Sequence, residues 1–560
     1  MNNHFRQGIK NIPEICAQYG VQRAIIAPGS RNAPLILAFT AQSNIECLSI
    51  TDERSAAYFA VGMVQAEKNP VALICTSGTA VLNFAPAIAE AYYQGLPLII
   101  FTADRPAELT DQADGQTIKQ TNIFANYVKA SLNIPVETEK NEDLQFLNRQ
   151  VAQAIDMAKT FPCAPVHINV PLREPLYAAL PKTHSNPKVI KTLTSTNNLT
   201  SESITALKNG WLLHKRKMVV FGAFPQKSDF NHLAKQLAKE PDTVVIAENL
   251  SNISGENIIT QPELLFAKIN SFKTEKFNPD LLITIGNSII CKQLKSFLRT
   301  NKPVEHWQFE TIMPYIDTYN NLTTIIPALA CEVLSAMPKA NEKSDFAEKY
   351  AMETEIISAA HENFVNNSAE LSDMCVVSNL LKTLPKDSVL QLASSTSVRW
   401  TQLFPTRADL TYFCNRGVSG IDGSLSTAAG YAYLSQKHTF FLTGDLSFIY
   451  DSNAFWNNYI GDNFKIIVMN NNGGNIFRNI ANKETIANCE HFFTTPHNVK
   501  IKHLTAAYGV DYICCEKYDD LENKIAELIN TNKCTVLEVF TGAEINTRNY
   551  FDCFEKIKES

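Results

Sequence analysis

Short apolar runs recur along this chain with helical stretches between them, in three blocks separated by two polar passages. The first block holds Ala24–Ala27, Leu48–Ile50, Ala72–Cys75, Leu98–Thr102 and Val166–Val170. The second holds Met218–Phe221, Val244–Ala247, Leu281–Ile285 and His306–Phe309, and the third Val389–Leu392, Tyr412–Cys414, Thr439–Leu442, Lys465–Met469 and Val536–Val539. Runs with no polar face need cover on both sides, so the rhythm specifies an α/β fold of three doubly wound parallel sheets. The passage Pro181–Ser203 is too rich in Ser, Thr, Asn and Lys to bury a face and reads as a linker; MPKANEKSDFAEKY marks a second boundary at 337–350. The expected domains are 1–181, 182–345 and 346–560.

Composition removes several classes of function. A net charge of −6 on 560 residues gives no general field for nucleic acid or anionic lipid, so small-molecule partners are expected. The first twenty residues lack a signal-peptide core, and no run approaches the ~18 apolar residues of a membrane span, so the reading is cytoplasmic with no membrane insertion. Thirteen cysteines without a C-x-x-C are expected to be reduced and mostly buried, with Cys514 and Cys515 packing on a strand. The middle block looks Rossmann-like, but its first strand ends in VVFGAF and lacks the glycines that admit a dinucleotide pyrophosphate. His306 and His438 have no partners at metal spacing and read as structural.

The third block carries the most specific chemistry. Strand HTFFLT runs into Gly444-Asp445-Leu446-Ser447, with a helix expected from about Asn453, and strand KIIVM runs into Asn470-Asn471-Asn472-Gly473-Gly474. One strand–helix–strand unit spans the distance from Asp445 to Asn471, which brings both to the same C-terminal sheet edge. A carboxylate, an amide oxygen and a turn carbonyl form a hard oxygen set suited to Mg²⁺ on phosphates, and helix N-termini at that edge favour the diphosphate itself. Taken singly, each half is also an ordinary βα turn.

This spacing resembles the G-D-x…N-N motif of thiamine-diphosphate enzymes. The resemblance extends through APGSRNAPL (27–35), DERSAAYFAVG (52–62), TSGTAVLN (76–83), TADRP (102–106), CNRGVSGIDG (414–423), GDLSFIYDSN (444–453) and NNNGGNIF (470–477). Those segments are similar to the family of 2-succinyl-5-enolpyruvyl-6-hydroxy-3-cyclohexene-1-carboxylate (SEPHCHC) synthases of menaquinone biosynthesis. The resemblance implies three domains of thiamine-diphosphate-enzyme type: pyrimidine-binding at 1–181, central at 182–345 and diphosphate-binding at 346–560. It also implies a transferase that decarboxylates 2-oxoglutarate and adds the succinyl unit in a 1,4 sense to isochorismate.

By resemblance, Glu53 is the catalytic residue, hydrogen-bonded to N1′ of the aminopyrimidine; by residue type alone it is equally an acid at a helix N-terminus. Ser395, Ile421, Gly444, Leu446 and Ser447 would contact the cofactor, Ile421 as the apolar wedge that bends it. Mg²⁺ or Mn²⁺ would sit on Asp445, Asn471 and Gly473. Both substrates carry two carboxylates, which Arg pairs efficiently. Ser30, Arg31, Arg105, Gln116 and Lys292 would face isochorismate, and Ser395, Arg399 and Arg416 the succinyl carboxylate, with Ile476 and Phe477 walling the cavity. Gln293 stands where related enzymes often carry a second cation, so one isochorismate contact is expected to differ. The family further implies a homodimer at least, possibly a tetramer, with the cofactor between two chains. A related 2-oxo acid decarboxylase or acetolactate-type synthase, or a non-enzymatic relative, remains open to the same residues.

Overall fold

The computed structural model describes residues 6–135, 140–181, 186–190, 192–193, 199–223, 228–272, 274–313, 315–339, 343–480 and 490–560. The first sheet contains β1 (Arg23–Ile26), β2 (Glu46–Ser49), β3 (Val71–Cys75), β4 (Leu98–Asp104), β5 (Ser131–Asn133) and β6 (Val166–Pro171). The second contains β7 (Lys217–Phe221), β8 (Thr243–Ala247), β9 (Ile258–Ile259), β10 (Leu281–Ile285), β11 (Glu305–Phe309) and β12 (Thr324–Ile326). The third contains β13 (Val389–Leu392), β14 (Thr411–Cys414), β15 (Thr439–Gly444), β16 (Phe464–Asn470), β17 (Asp511–Cys515) and β18 (Thr535–Phe540). Neighbouring strands run parallel, as the apolar runs required.

Strand order decides where ligands can lie. The first sheet is ordered β2-β1-β3-β4-β6-β5 and the third β14-β13-β15-β16-β18-β17, which is the same order counted from each sheet's own first strand. The second, β9-β8-β7-β10-β11-β12, has the Rossmann order. In the first and third sheets the winding reverses between the first and third strands. A crevice therefore opens at the carboxyl ends of β1 and β3, and of β13 and β15.

Most strands expected from sequence are buried ones, β3, β7 and β8 at every residue, although the expected edge strand β2 is buried only at Leu48. Three others went unseen, β5, β9 and β12, and β17 was read only as a strand at Cys514 and Cys515; each of the four forms a sheet edge. Edge strands are short or solvated on one face, so their residues carry no continuous apolar run. β17 shows the effect, with Cys515 buried and Cys514 exposed, which corrects the expectation that both pack. The twelve described cysteines are all free.

Two further boundaries differ from expectation. The helix after β15 begins at once, as Asp445–Tyr450, and only a 3-10 turn follows at Ser452–Phe455. Residues 201–203, placed in the linker by composition, open helix Ser201–Leu213, where the Thr200 hydroxyl accepts from the Ser203 N–H at 3.2 Å. Helix Phe346–Asn366 likewise starts inside the second polar passage. His306 is buried and bonds Thr284 through Nε2 at 2.8 Å, and burial holds its imidazole down to about 4. His438 lies one residue ahead of β15. Among the described residues no helix is long and apolar enough to cross a membrane.

The chain forms two compact units. One comprises residues 1–194, 415–436 and 450–464, the other 195–414, 437–449 and 465–560. Within the first unit, helix Glu53–Glu67 packs against helix Ser424–Leu434 through paired glycines. A Cβ at Gly62 would lie 1.9 Å from the Thr427 carbonyl oxygen, and one at Gly430 would lie 2.0 Å from that of Phe59. Asp451 fastens the second helix from below: its carboxylate accepts from the Ser426 N–H at 2.6 Å and the Ser426 hydroxyl at 2.8 Å.

Burial pushes the Asp451 carboxyl from 3.8 up to about 7. An acid raised on folding stabilises the protein below its unfolded pKa and loses that contribution as pH rises through the folded value. Asp451→Asn keeps both Ser426 contacts without a charge. The variant's thermal midpoint should therefore gain on the parent progressively from pH 4 to pH 7 and then level off; a difference independent of pH would contradict the assignment.

Candidate active site

In the first unit the candidate residues gather at the ends of β1, β3 and β4. A Cβ on Gly29 would fall 2.3 Å from Thr76 Cβ, so the β1 and β3 turns touch at a position only glycine can fill. Ser30 and Arg31 follow that glycine. Arg31 is buried, donates from Nη1 to the Leu172 carbonyl at 3.0 Å and lies 3.5 Å from Glu174. Its Nε is buried without an acceptor among the described residues. Burial, and then the neighbouring Arg105 charge, lower its pKa. Arg105 reaches Ser77 Oγ at 2.9 Å, Asp114 at 3.1 Å and the Gly115 carbonyl at 2.7 Å. Gln116 follows that carbonyl with a φ of 57°, its Cα 3.3 Å from where a Gly78 Cβ would be. Two guanidiniums and three short polar turns thus share one sheet edge.

Glu53 opens helix Glu53–Glu67, whose N-cap Asp52 accepts from the Ser55 N–H at 3.0 Å and from Asn453 Nδ2 at 2.7 Å. That double anchor fixes the start of the helix. The Glu53 carboxylate is half-buried and accepts from Asn83 Nδ2 at 3.4 Å. In the same unit, Arg416 and Ile421 lie on the loop ahead of helix Ser424–Leu434. Glu90 holds this loop. Its carboxylate is fully buried and accepts from the N–H groups of Gly417 at 2.6 Å and Val418 at 2.8 Å. Burial raises its pKa, while those bonds, one from Gln94 and one from the Ser419 N–H pull the other way. Arg416 Nε is buried without an acceptor among the described residues.

In the second unit Asp445 and Asn471 end β15 and β16. Asp445 is buried, and its oxygens accept from the N–H groups of Leu446 at 2.7 Å and Gly473 at 2.8 Å, with His497 Nε2 at 3.2 Å. Burial raises its pKa, and the peptide and His497 contacts partly offset that. Asn471 donates from Nδ2 to Asp373 at 3.1 Å, while its Oδ1 is buried with no donor among the described residues. The Gly473 carbonyl accepts from the Asn475 N–H at 3.0 Å and has a second lone pair to offer. A Cβ on Gly444 would meet open space. A buried acid, an orphaned amide oxygen and a turn carbonyl fit a hard divalent cation beside a group that fills the space at Gly444. Ser447 is buried in the first turn of helix Asp445–Tyr450.

Ser395, across the β13–β15 crevice, has φ 78° and ψ −129°. A side chain there costs about 1–3 kcal/mol, a strain that structures keep mainly at functional positions. Four residues on, Arg399 lines a pocket with Lys292, Trp400, Ile476, Asn479 and Tyr550. Partial burial and then the Arg399 charge lower the Lys292 pKa, against the pull of Glu263. Glu248 sets that loop, accepting from the Ile290 N–H at 2.7 Å and the Cys291 N–H at 2.6 Å. Gln293 accepts from Asn270 Nδ2 at 3.1 Å. Phe477 packs its ring 5.7 Å from Phe493.

The structure thus brings Ser30, Arg31, Arg105 and Gln116 together in one unit, which also holds Glu53, Arg416 and Ile421. It groups Lys292, Arg399 and Ile476 in the other, which also holds Ser395 and the Asp445–Asn471–Gly473 cluster. Sequence reasoning missed Glu90, Glu248, Asp373 and His497. Each meets its loop from far along the chain, 327 positions in the case of Glu90 and Gly417, and no local pattern announces such a contact.

Comparison with known proteins agrees with this layout. The thiamine pyrophosphate enzyme N-terminal TPP binding domain matches residues 6–123, the middle domain of thiamine pyrophosphate enzymes residues 188–392, and the C-terminal TPP binding domain residues 393–539. The chain is 38% identical to the 2-succinyl-5-enolpyruvyl-6-hydroxy-3-cyclohexene-1-carboxylate synthase of Flavobacterium psychrophilum, over 97% of this chain and 98% of that protein. It is 36% identical to the synthase of the same name from Flavobacterium johnsoniae over 97% and 98%, and 39% identical to that from Desulfotalea psychrophila over 91% and 94%.

The Glu90 contact makes a prediction that needs no substrate. In Glu90→Gln an NH₂ group faces peptide donors, and stranded buried donors cost about 1–3 kcal/mol. Hydrogen exchange at Gly417 and Val418 should accelerate roughly tenfold to a hundredfold, and unchanged protection would show that Glu90 does not hold the loop.

Proposed function

Because this chain belongs to the SEPHCHC synthase family of thiamine pyrophosphate enzymes, we propose that the residues gathered in each of its units belong to that family's machinery. The chain is a thiamine-diphosphate-dependent transferase of menaquinone biosynthesis, decarboxylating 2-oxoglutarate and adding the succinyl unit to isochorismate in a 1,4 sense to give SEPHCHC and CO₂. Near full-length identity to eight proteins of one name carries this reading. The buried Nε atoms of Arg31, Arg399 and Arg416, without acceptors among the described residues, support it, since both substrates are dicarboxylates.

Thiamine diphosphate, when bound, would supply the electron sink that lets CO₂ leave 2-oxoglutarate and so makes the remaining former keto carbon the nucleophile that bonds to isochorismate. Glu53 holds a proton at N1′ of the aminopyrimidine, from a helix start that Asp52 keeps rigid. Asp445, Asn471 Oδ1 and the Gly473 carbonyl hold Mg²⁺ or Mn²⁺. Ser395, Gly444, Leu446 and Ser447 contact the cofactor, with Ile421 as its apolar wedge. Arg31 and Arg105, with Ser30, Gln116 and Lys292, bind isochorismate; Arg399 and Arg416, with Ser395, bind the succinyl carboxylate, and Ile476 and Phe477 keep water from the reacting carbon. The division 1–181, 182–345 and 346–560, a homodimer and a cytoplasmic setting complete the proposal on the strength of the family resemblance.

Glu53→Gln should fold and bind cofactor but slow hydrogen–deuterium exchange at the cofactor's C2 by roughly 10²- to 10⁴-fold. Near-normal exchange would remove Glu53 from its role, and failure of the parent protein to bind cofactor would leave only a non-enzymatic relative. Arg399→Ala and Arg416→Ala should raise KM for 2-oxoglutarate more than for isochorismate, and Arg31→Ala and Arg105→Ala the reverse. Each lost charge-assisted bond costs about 1.5–3 kcal/mol, or roughly ten- to a hundredfold in kcat/KM. Equal effects of all four variants on both substrates would refute the partition.

A further inference from the structure

Asn471 can act on a cation only through its oxygen, yet an amide fits its cavity almost equally well with the nitrogen in that place. Something must choose between the two orientations. Behind Asn471, the first residue of helix Asp373–Thr383 presents a fully buried carboxylate. Its Oδ2 accepts from Asn471 Nδ2 at 3.1 Å. Its Oδ1 accepts from the Thr541 hydroxyl at 2.6 Å and from Asn546 Nδ2 at 2.8 Å, and the Asp373 N–H donates to Asn546 Oδ1 at 2.8 Å. Thr541 is the residue after β18, and Asn546 lies in helix Ala543–Glu559, so three elements clamp the carboxylate. The Ser372 hydroxyl caps the helix, accepting from the Cys375 N–H at 3.3 Å.

We propose that Asp373 is a positioning residue that fixes the amide of Asn471, so that Oδ1 and never Nδ2 meets the divalent cation. An ionised carboxylate only accepts hydrogen bonds, and the flipped amide would set oxygen against oxygen in a buried place. The consequence is visible in the structure: Asn471 Oδ1 is buried and has no donor among the described residues. Partners behind a metal ligand of this kind commonly change metal affinity by about 10–100-fold when lost. The proposal rests on the metal assignment made above.

The test is binding of Mn²⁺ in the presence of thiamine diphosphate, followed by electron paramagnetic resonance on the full-length protein. Asp373→Asn offers an amide that can donate to Asn471 Oδ1 and release the flip; its Mn²⁺ Kd should rise about tenfold to a hundredfold, with thermal unfolding of the metal-free protein little changed. Asp445→Ala should weaken binding at least as much. The exchanged pair Asp373→Asn with Asn471→Asp restores one donor facing one acceptor and leaves a carboxylate oxygen for the cation, so it should bind Mn²⁺ at least tenfold tighter than Asp373→Asn. An unchanged Kd in Asp373→Asn beside a lost site in Asp445→Ala overturns the role of Asp373 alone; unchanged binding in Asp445→Ala overturns the metal assignment beneath it. Should Asp373→Asn not fold, Asp373→Ser takes its place, because a hydroxyl both donates and accepts and so no longer selects an orientation of Asn471; a Kd raised about tenfold or more supports the proposal and an unchanged Kd overturns it.

Discussion

A carboxylate removed from water costs several kcal/mol unless its lone pairs are filled, and this chain fills them at its site loops with peptide N–H groups. Glu90 takes those of Gly417 and Val418, Glu248 those of Ile290 and Cys291, Asp445 those of Leu446 and Gly473, and Asp451 that of Ser426. Each bond pins a turn that carries a candidate residue or the helix behind it. Because backbone N–H groups serve as their partners, Glu90 and Glu248 hold their loops without a salt bridge to Arg31, Arg399 or Arg416 among the described residues. Arg399 and Arg416 keep buried Nε atoms without acceptors among the described residues, and so does Arg31 beside its longer 3.5 Å contact with Glu174.

Topology determines which turns can be used this way. The first and third sheets share one strand order, so corresponding strand ends open on corresponding crevices. After the first strand come Ser30 and Arg31 in one sheet and Ser395 and Arg399 in the other. After the third come Ser77 and Gly78, and Gly444 and Asp445; after the fourth, Arg105 and Asn471. At the first strand end both sheets place a serine and an arginine, whereas at the third and fourth the first sheet offers Ser77 and Arg105 and the third offers Gly444, Asp445 and Asn471. The chemistry differs because the turn residues differ, not the scaffold.

Much of this was legible in the sequence, for stateable reasons. Interior strands such as β3, β7 and β8 are apolar at nearly every position because helices cover both faces, whereas the edge strands β5, β9 and β12, of three, two and three residues, are too short to leave such a trace. Gly444-Asp445 and Asn470-Asn471 were legible because short polar turns must follow specific strands. The helix start was misjudged by eight positions because Asp445 caps nothing a pattern search would recognise; its carboxylate bonds its own neighbour's N–H and the distant Gly473. Asp373, 98 positions from Asn471, could only be found in space. The duplicated strand order escaped because topology, not residue identity, is what repeats.

The central claim, that these parts join a succinyl unit from 2-oxoglutarate to isochorismate, is tested most directly by mass spectrometry of the product made by the purified protein with thiamine diphosphate and Mg²⁺, with released CO₂ measured in the same reaction. The account predicts one CO₂ for each product molecule, a product mass equal to the sum of the two substrates less CO₂, and an enolpyruvyl group still in place. CO₂ release at the same rate without isochorismate, or a product formed from 2-oxo acid alone, would contradict it.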